Sequence, residues 1–362
     1  MGKPTLGEVF KATNQKVFTL AFVLGSSSGC DPKWGASIAL DDPQIISQIR
    51  EIQSQGGEVI VGTGGAMGPY LENSCTTIDS LADAYIKILD TVKTNHLDVD
   101  IESTVDVDKV TKALAKVQQQ RKTNVGFTLM VQADDYGITP ILGVELLKTA
   151  KKNGVKVDIV NPMTMEFPSS NAVWGEAVIS AAKATLGQMK TIWPELSNEQ
   201  LNKMLGVTPM IGRNFNGKIF AQSDAQLLIN WAISNKIGLL AFWSVGRDNG
   251  GCPGGAVSAS CSSIQQSDYE FTKMFQQFSM NSGNSTTNPS TPSTPTTPDS
   301  TADSKIPTTQ ESTSSTSPTT ENTQSGEKCK GRSERRFDDW CEANCAMGFC
   351  PPDYCACEKK VA

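Results

Sequence analysis

Three acidic side chains stand at every second position of the run 97–102, namely Asp98, Asp100 and Glu102. Residues i, i+2 and i+4 of a β-strand share one face, so a strand here would gather all three carboxyls and turn the intervening aliphatic side chains the other way. Carboxyl groups crowded together cannot all ionise easily near neutral pH, and at least one should keep its proton. The pattern predicts a general acid; a cation site or a solvated edge strand is the alternative.

The acidic run lies in a series of strand-like and helix-like segments between residue 3 and about residue 280. The predicted strands are Val17–Leu24, Glu58–Gly64, Leu97–Glu102, Val125–Val131, Val155–Pro162, Val207–Gly212 and Gly238–Ser244. Three intervening helices have recognisable ends, from Asp42-Pro43 to Gly56-Gly57, from Pro140 to Gly154, and from Ser223-Asp224 to Gly238. Because the strands are nearly continuous apolar runs, as parallel strands covered by helices are, the order predicts repeated βα units.

Repeated βα units form either a closed eight-stranded barrel or an open doubly wound sheet. Seven strands are predicted, and the segment before the first of them, Leu6–Asn14, has a helical pattern. We favour an α/β fold, a (β/α)8 TIM barrel that lacks its first strand in this chain. The reason is that barrels carry catalytic groups at the C-terminal ends of their strands, where Glu102 is placed. An open seven-stranded sheet is the alternative.

Composition limits the compartment and the partners. The chain has 362 residues, 38% of them hydrophobic, and a net charge of −6, so it can bury a large core and has no basic field for nucleic acid. Ten cysteines in two even sets favour an oxidising compartment. No apolar stretch is long enough for a bilayer, and the N-terminus lacks a secretory signal pattern. We expect an extracellular protein without membrane contact, whose natural precursor has further N-terminal sequence.

Composition also divides the chain into three predicted regions. Residues 1–280 have globular composition, 281–328 are rich in Ser, Thr and Pro and predict a disordered linker, and 329–362 form a small Cys-rich module. The six cysteines of the module are Cys329, Cys341, Cys345, Cys350, Cys355 and Cys357. Their density predicts disulfides, since so small a core cannot hold the module by itself; a zinc cluster is the alternative.

The run from Asn95 to Glu102 resembles the strand-four signature DxxDxDxE of glycoside hydrolase family 18 chitinases of the compact bacterial type, with Asn95 in place of the first acid. Supporting segments are Thr63-Gly64-Gly65, Asn161-Pro-Met-Thr-Met-Glu-Phe167, Val207-Thr-Pro-Met-Ile-Gly212 and Phe242-Trp243-Ser244. The resemblance extends from about Leu6 to Phe278, and the family strand that it leaves without a counterpart is the first.

The resemblance implies substrate-assisted retaining hydrolysis, in which the acetamido group of the sugar replaces an enzyme nucleophile. Glu102 would protonate the glycosidic oxygen, Asp100 would orient the acetamido group, and Asp98 would share a proton with Asp100. No cofactor and no metal are implied. His96, the only histidine, lies at the start of the strand and is predicted to have a packing or hydrogen-bonding role.

Further site residues follow from the same resemblance. Trp243 would form an apolar floor under a distorted sugar ring, with a barrel-core tryptophan as the alternative. The other predicted substrate-binding residues are Met163, Met165, Glu166, Gly64 and Gly65. Glu166-Phe167 replaces the more usual Asp-Tyr, so the carboxylate is one methylene longer and a phenolic hydroxyl is lost. Two disulfides are predicted in the globular part, Cys30 with Cys75 and Cys252 with Cys261.

The function implied by the resemblance is that of a secreted, monomeric chitinase, whose partners are chitin or chito-oligosaccharides. An endo-β-N-acetylglucosaminidase acting on N-glycans and a non-hydrolytic chitin-binding lectin are the alternatives. The tail contains Phe337, Trp340, Phe349 and Tyr354, and several of these rings should stay near the surface because the module has little core. We therefore predict that the tail binds chitin; a toxin-like or protein-binding knot is the alternative.

Overall fold

The computed structural model describes residues 4–282 and the backbone of Lys328–Gly331 and Cys355–Glu358. The helices are α1 (Leu6–Thr13), α2 (Pro43–Ser54), α3 (Leu71–Ser74), α4 (Ile78–Val92), α5 (Val107–Gln120), α6 (Leu146–Lys152), α7 (Trp174–Ile192), α8 (Asn198–Met204), α9 (Gln222–Asn235) and α10 (Glu270–Ser282). The strands are β1 (Val17–Ser26), β2 (Gly29–Trp34), β3 (Ile38–Ala39), β4 (Glu58–Gly64), β5 (His96–Ile101), β6 (Asn124–Ala133), β7 (Gly137–Ile138), β8 (Val157–Met163), β9 (Gly206–Val207), β10 (Gly212–Arg213), β11 (Ile219–Phe220), β12 (Leu239–Leu240), β13 (Lys328–Gly331) and β14 (Cys355–Glu358).

Seven parallel strands follow one another in space in the order in which they occur along the chain. The continuous pairs are β1 with β4, β4 with β5, β5 with β6, and β6 with β8. Strand β8 contacts the β9 segment through isolated bridges such as Met163 with Thr208, and β9 pairs with β12. Sequential neighbours joined by helical crossovers are the pattern of a barrel, because a doubly wound sheet reverses its strand order.

The two ends of this series of strands come back towards each other. The ring of Phe22 on β1 stacks on that of Trp243, just beyond β12, with 5.8 Å between the ring centroids. Gln276 of α10 also donates a hydrogen bond of 2.8 Å to the carbonyl of Thr13. Within residues 4–282, no backbone pairing joins β12 to β1. The α/β barrel is confirmed over the doubly wound sheet, with seven parallel strands in the described part and a seam between the first and the last.

Two predicted strands are wrong in extent. Val207–Gly212 and Gly238–Ser244 were expected as continuous strands, but regular pairing is limited to β9 and β12. Pro209 interrupts the first because it has no N–H for the ladder. Gly212 then turns the chain at φ 71°, where a Cβ would lie 2.0 Å from the carbonyl oxygen of Ser262.

The sequence patterns located two helix starts well. The helix predicted to open at Ser223-Asp224 begins instead at Gln222, and the one predicted from Pro140 begins with a π-helical turn, Pro140–Glu145, before α6. Asp42 caps α2 by accepting hydrogen bonds of 3.0 and 3.1 Å from the first-turn amides, and Pro43 takes the first helical position. The predicted helix from Leu6 to Asn14 is α1, which ends with Asn14 in the left-handed conformation. The hairpin extension β2–β3, which pairs antiparallel with β1, was not predicted.

The described part of the chain contains no helix that combines the length and apolar character needed to cross a bilayer. The four predicted aromatic residues of the tail lie outside the described residues. So does most of the predicted linker and tail, apart from the end of α10 and two short strands. Those strands, β13 and β14, pair antiparallel with Cys329 opposite Cys357.

Candidate active site

The three carboxyl groups lie on, or directly after, a strand in the middle of the sheet. Strand β5 pairs with β4 on one side and with β6 on the other, and Gly62 and Gly126 are the partners of Asp98. The alternative of a solvated edge strand is therefore wrong. Asp98 and Asp100 share one face of β5 and Glu102 directly follows the strand; the charges of Glu102 and Asp98 raise the pKa of Asp100.

The carboxyl group of Asp98 accepts a hydrogen bond from a side chain on the neighbouring strand. The Thr128 hydroxyl on β6 donates to Oδ2 of Asp98 at 2.7 Å. Burial raises the pKa of Asp98 to about 6, although the hydrogen bond from Thr128 acts in the opposite direction by favouring the charged form. Asp98 thus changes charge within the pH range in which most enzymes work.

Asp100 is the most enclosed of the three carboxyls, with 5% of its surface exposed. Its Oδ1 is buried and has no hydrogen-bond partner. Burial is the main cause that raises the pKa of Asp100 well above its usual range, followed by the charges of Glu102, Asp98 and Glu72. A buried carboxyl oxygen without a partner costs free energy, so this atom is suited to a donor that arrives with a ligand.

Glu102 follows the last residue of β5 and keeps part of its surface exposed. Its backbone N–H donates to the Tyr70 hydroxyl at 2.9 Å, and that hydroxyl donates in turn to the carbonyl of Gly65 at 2.6 Å. Burial raises the pKa of Glu102 to about 7. A carboxylic acid that stays protonated near neutral pH and still reaches solvent can give its proton to a bound substrate.

Gly64 and Gly65, at the end of β4, allow the close approach of that strand to the acids. Gly64 has φ 85°, and a Cβ there would lie 1.8 Å from the carbonyl oxygen of Asp100. Gly65 has φ 87°, and a Cβ there would lie 2.5 Å from the ring of Phe22. The structure thus gives both glycines a packing role beside the acids; their contact with substrate stays a prediction.

A fourth acid, Glu72, is buried behind β4 and was not predicted from the sequence. Its Oε1 accepts hydrogen bonds from the Thr63 hydroxyl at 2.6 Å and from the Tyr85 hydroxyl at 2.8 Å, while Oε2 has no partner. Burial raises the pKa of Glu72, and its charge is one of the causes that raise the pKa of Asp100. Among residues 4–282, no group of three or more His, Cys, Asp or Glu side chains could hold a metal ion.

Trp243 lies just beyond β12, the last barrel strand, with 39% of its surface exposed. It is therefore not a fully enclosed barrel-core residue. One part of the ring stacks on Phe22, and the remaining surface is free to meet a ligand. An apolar, partly exposed ring at the C-terminal rim of a barrel is suited to packing against the face of a sugar.

The predicted substrate-binding residues of the sixth family strand have other contacts in this structure. The Glu166 carboxylate accepts backbone N–H groups of Phe215 and Asn216, each at 2.8 Å, and so holds the turn between β10 and β11. Met163 packs in the hydrophobic core, and Met165 lies half-buried against it. Phe215, fixed by Glu166, is 61% exposed. Direct contact of these residues with substrate stays a prediction.

The two predicted disulfides of the globular part are present, and each ties down a loop. Cys30 at the start of β2 is bonded to Cys75, which follows α3, with 4.5 Å between the Cα atoms. Cys252 is bonded to Cys261, with 6.1 Å between the Cα atoms. His96 contacts Oε2 of Glu58 at 3.3 Å at the N-terminal end of the strands, in keeping with the predicted structural role.

The sequence is similar to known chitinases, although no family model matches it. It is 31% identical over 301 residues to the probable bifunctional chitinase/lysozyme of Escherichia coli and 31% identical over 265 residues to endochitinase 11 of Metarhizium anisopliae. The two alignments cover 76% and 68% of this chain, and the chain spans 33% and 50% of the length of those relatives.

Solved structures extend the similarity to the fold. The catalytic domain of a hyperthermophilic chitinase from Pyrococcus furiosus is 41% identical, with a TM-score of 0.71 over 78% of this chain and 92% of that domain. Mutants of its active domain 2, solved with chito-oligosaccharides, align with a TM-score of 0.72. An α/β barrel with three neighbouring carboxyls at one central strand, together with these relatives, makes the protein a glycoside hydrolase. The chain belongs to the chitinases of glycoside hydrolase family 18.

No role was predicted from the sequence for the polar residues Thr128, Asn161, Tyr70 and Glu72 around the acids, although Asn161 begins one of the segments that support the resemblance. Thr128 and Asn161 had a usable signal, because each is a polar residue inside an otherwise apolar strand. Tyr70 and Glu72 had none, since they lie in the loop and short helix after β4, and only the fold brings them next to β5.

Proposed function

We propose that this protein hydrolyses the β-1,4 bonds of chitin between N-acetylglucosamine units, with Glu102 as general acid and Asp100 and Asp98 as its supporting pair. The observation that carries the proposal is the partly exposed Glu102, whose pKa burial raises to about 7, directly after the strand that holds the half-buried Asp98 and the buried Asp100. The Pyrococcus furiosus domain, which was solved with chito-oligosaccharides, supports the choice of substrate.

The proposed reaction has two steps. The acetamido carbonyl oxygen of the sugar attacks the anomeric carbon as the glycosidic bond breaks, and Glu102 gives its proton to the leaving oxygen. Oδ1 of Asp100, which has no partner in the structure, would accept the acetamido N–H and stabilise the positive oxazolinium ion. Water then attacks the same carbon and gives a proton to Glu102, so the acid is restored and the product keeps the β configuration.

We expect a bell-shaped dependence of kcat on pH. As the pH rises through about 7, Glu102 loses the proton that the leaving group needs, and activity is lost on the alkaline side. As the pH falls below about 6, Asp98 becomes neutral beside a protonated Asp100, and the pair no longer stabilises the oxazolinium charge.

The measurement is the initial rate on a soluble chito-oligosaccharide from about pH 4 to about pH 9, the range in which carboxyls of this kind titrate. The anomer of the product is followed by NMR. The β-anomer should appear first, with greatest activity on the slightly acidic side of neutrality. The mechanism would be contradicted if the α-anomer formed first. It would also be contradicted if the rate kept rising above about pH 8, roughly one unit beyond the expected alkaline limb.

The division of the sequence into a globular part, a linker and a Cys-rich module also supports a proposal about binding to solid chitin. We propose that residues 281–328 tether the barrel to a chitin-binding module at 329–362 and that the protein is secreted as a monomer. The two disulfides of the barrel support an oxidising compartment. A tethered binding module raises the local concentration of the catalytic domain at an insoluble substrate.

Removal of residues 283–362, which keeps α10 complete, should reduce adsorption to solid chitin by about tenfold or more. Activity on a soluble trimer should stay within about twofold of the full chain, because the acids and the barrel are untouched. The assay compares depletion from solution by chitin particles with turnover of the trimer. Equal adsorption of the two proteins would remove the anchoring role of the tail.

A further inference from the structure

A chain of hydrogen bonds crosses the barrel interior and ends on Asp98. The Thr208 hydroxyl donates to Oδ1 of Asn161 at 2.9 Å, and Nδ2 of Asn161 donates to the Thr128 hydroxyl at 2.9 Å. The Thr128 hydroxyl then donates to Oδ2 of Asp98 at 2.7 Å. The four residues come from four neighbouring parts of the barrel, namely β5, β6, β8 and the segment after β9.

The register of the strands and two glycines leave space for the side chains that form this series of hydrogen bonds. Thr128 and Asn161 are direct partners in the β6–β8 ladder, and both are buried. A Cβ at Gly206 would lie 2.9 Å from Oδ1 of Asn161, and a Cβ at Gly126 would lie 3.0 Å from Oδ1 of Asp98. Each distance is shorter than an ordinary carbon–oxygen contact, so both glycines leave space that the polar chain occupies.

The series of hydrogen bonds from Thr208 to Asp98 has a defined donor-to-acceptor direction. A threonine hydroxyl has one proton, and the Asn161 amide already donates to the oxygen of Thr128, so the Thr128 proton is left for Asp98. Asp98 must therefore present Oδ2 as an acceptor. We propose that Thr208, Asn161 and Thr128 form a positioning relay that holds Oδ2 of Asp98 free of a proton, so that the proton of the aspartate pair is confined to Oδ1 of Asp98 or to Asp100.

This proposal rests on the proposed hydrolysis only for its effect on rate. The titratable groups near Asp98 are Asp100 on β5, Glu102 directly after β5, and Glu72 from α3, which acts on Asp100. The residues that pair with Asp98 on β4 and β6 are glycines, which do not titrate. Thr128 is therefore the one neighbour in these contacts that acts on Asp98 through a hydrogen bond from another strand.

The relay predicts a graded change in the ionisation of Asp98. Thr128→Val keeps the shape of the side chain and removes the donor, so the pKa of Asp98 and the acidic limb of kcat should move upward by about one unit. Thr128→Ser keeps the hydroxyl and should restore the wild-type profile. Thr208→Val does not touch Asp98, yet it should move the acidic limb in the same direction by about a third of a unit, because it removes the outer link.

The experiment titrates the carboxyl carbon of Asp98 by NMR in the full chain, with Asp98→Asn to assign the signal, and compares it with the pH profile of kcat. This titration needs no substrate, so the relay is tested even if the chain fails to hydrolyse chitin. No shift in Thr128→Val, a downward shift, or an unchanged Asp98 in Thr208→Val would overturn the relay. If Thr128→Val does not fold, the Thr208→Val comparison decides the question.

Discussion

Replacing Glu102 with Gln should lower kcat on a natural chito-oligosaccharide by about a thousandfold, within the range expected for loss of a general acid. The amide keeps the size of the side chain and the backbone hydrogen bond to Tyr70, but it has no acidic proton for the leaving oxygen. Affinity for the oligosaccharide should stay within about threefold, because binding does not require that proton. Rates and isothermal binding on the same preparation check both parts.

A substrate with an activated aryl leaving group sharpens this test. Such a group leaves without protonation, so the Glu102→Gln variant should keep far more of the wild-type rate on it than on the natural glycoside. Glu195→Gln is the matched control, because Glu195 is exposed and forms an ion pair with Lys151 away from β5. Near-normal turnover of the natural substrate by Glu102→Gln would refute the assignment of the acid.

Replacing Asp100 with Asn should lower kcat by about a hundredfold or more, for a different reason. Oδ1 of Asp100 is buried without a partner, and we assign it to the acetamido N–H of the substrate. An amide at this position cannot share the proton and the negative charge of the aspartate pair, which stabilise the oxazolinium ion, and it can turn a donor towards the N–H. The measurement is kcat on the same natural and activated substrates.

Comparing the natural and the activated substrate distinguishes the effect of Asp100→Asn from that of Glu102→Gln. Attack by the acetamido group is needed whatever the leaving group is, so the loss in Asp100→Asn should be similar on both substrates, whereas the loss in Glu102→Gln should shrink on the activated one. If an activated leaving group rescued Asp100→Asn as well, Asp100 would not be the residue that assists acetamido attack.

Much of the fold could be predicted from local patterns. The predicted strand from Glu58 to Gly64 has the observed bounds, and the predicted helix after Asp42 begins as expected, because apolar runs and cap residues act over a few positions. The strands around Val207 and Leu239 were overestimated. There, Pro209 and the turn at Gly212 limit regular pairing, although the composition remains apolar.

The candidate site was predictable in its acids but not in their surroundings. The alternation of Asp98, Asp100 and Glu102 has one structural meaning in a strand, so their common face followed from spacing. The role of Glu166 did not follow, since its two hydrogen-bond donors lie about fifty positions away, with sequence separations of 49 and 50 residues. A motif places a carboxylate at the end of a strand; the neighbouring loops decide what it binds.

The amino-acid sequence by itself determined the order of the βα units and the spacing of the three acids, because both depend on periodicities that a short segment expresses locally. Only the tertiary structure decided how the acids ionise. The pKa of a carboxyl depends on burial and on partners, and Thr128 reaches Asp98 across 30 residues of sequence. Proton position at this site is therefore a property of packing between distant strands.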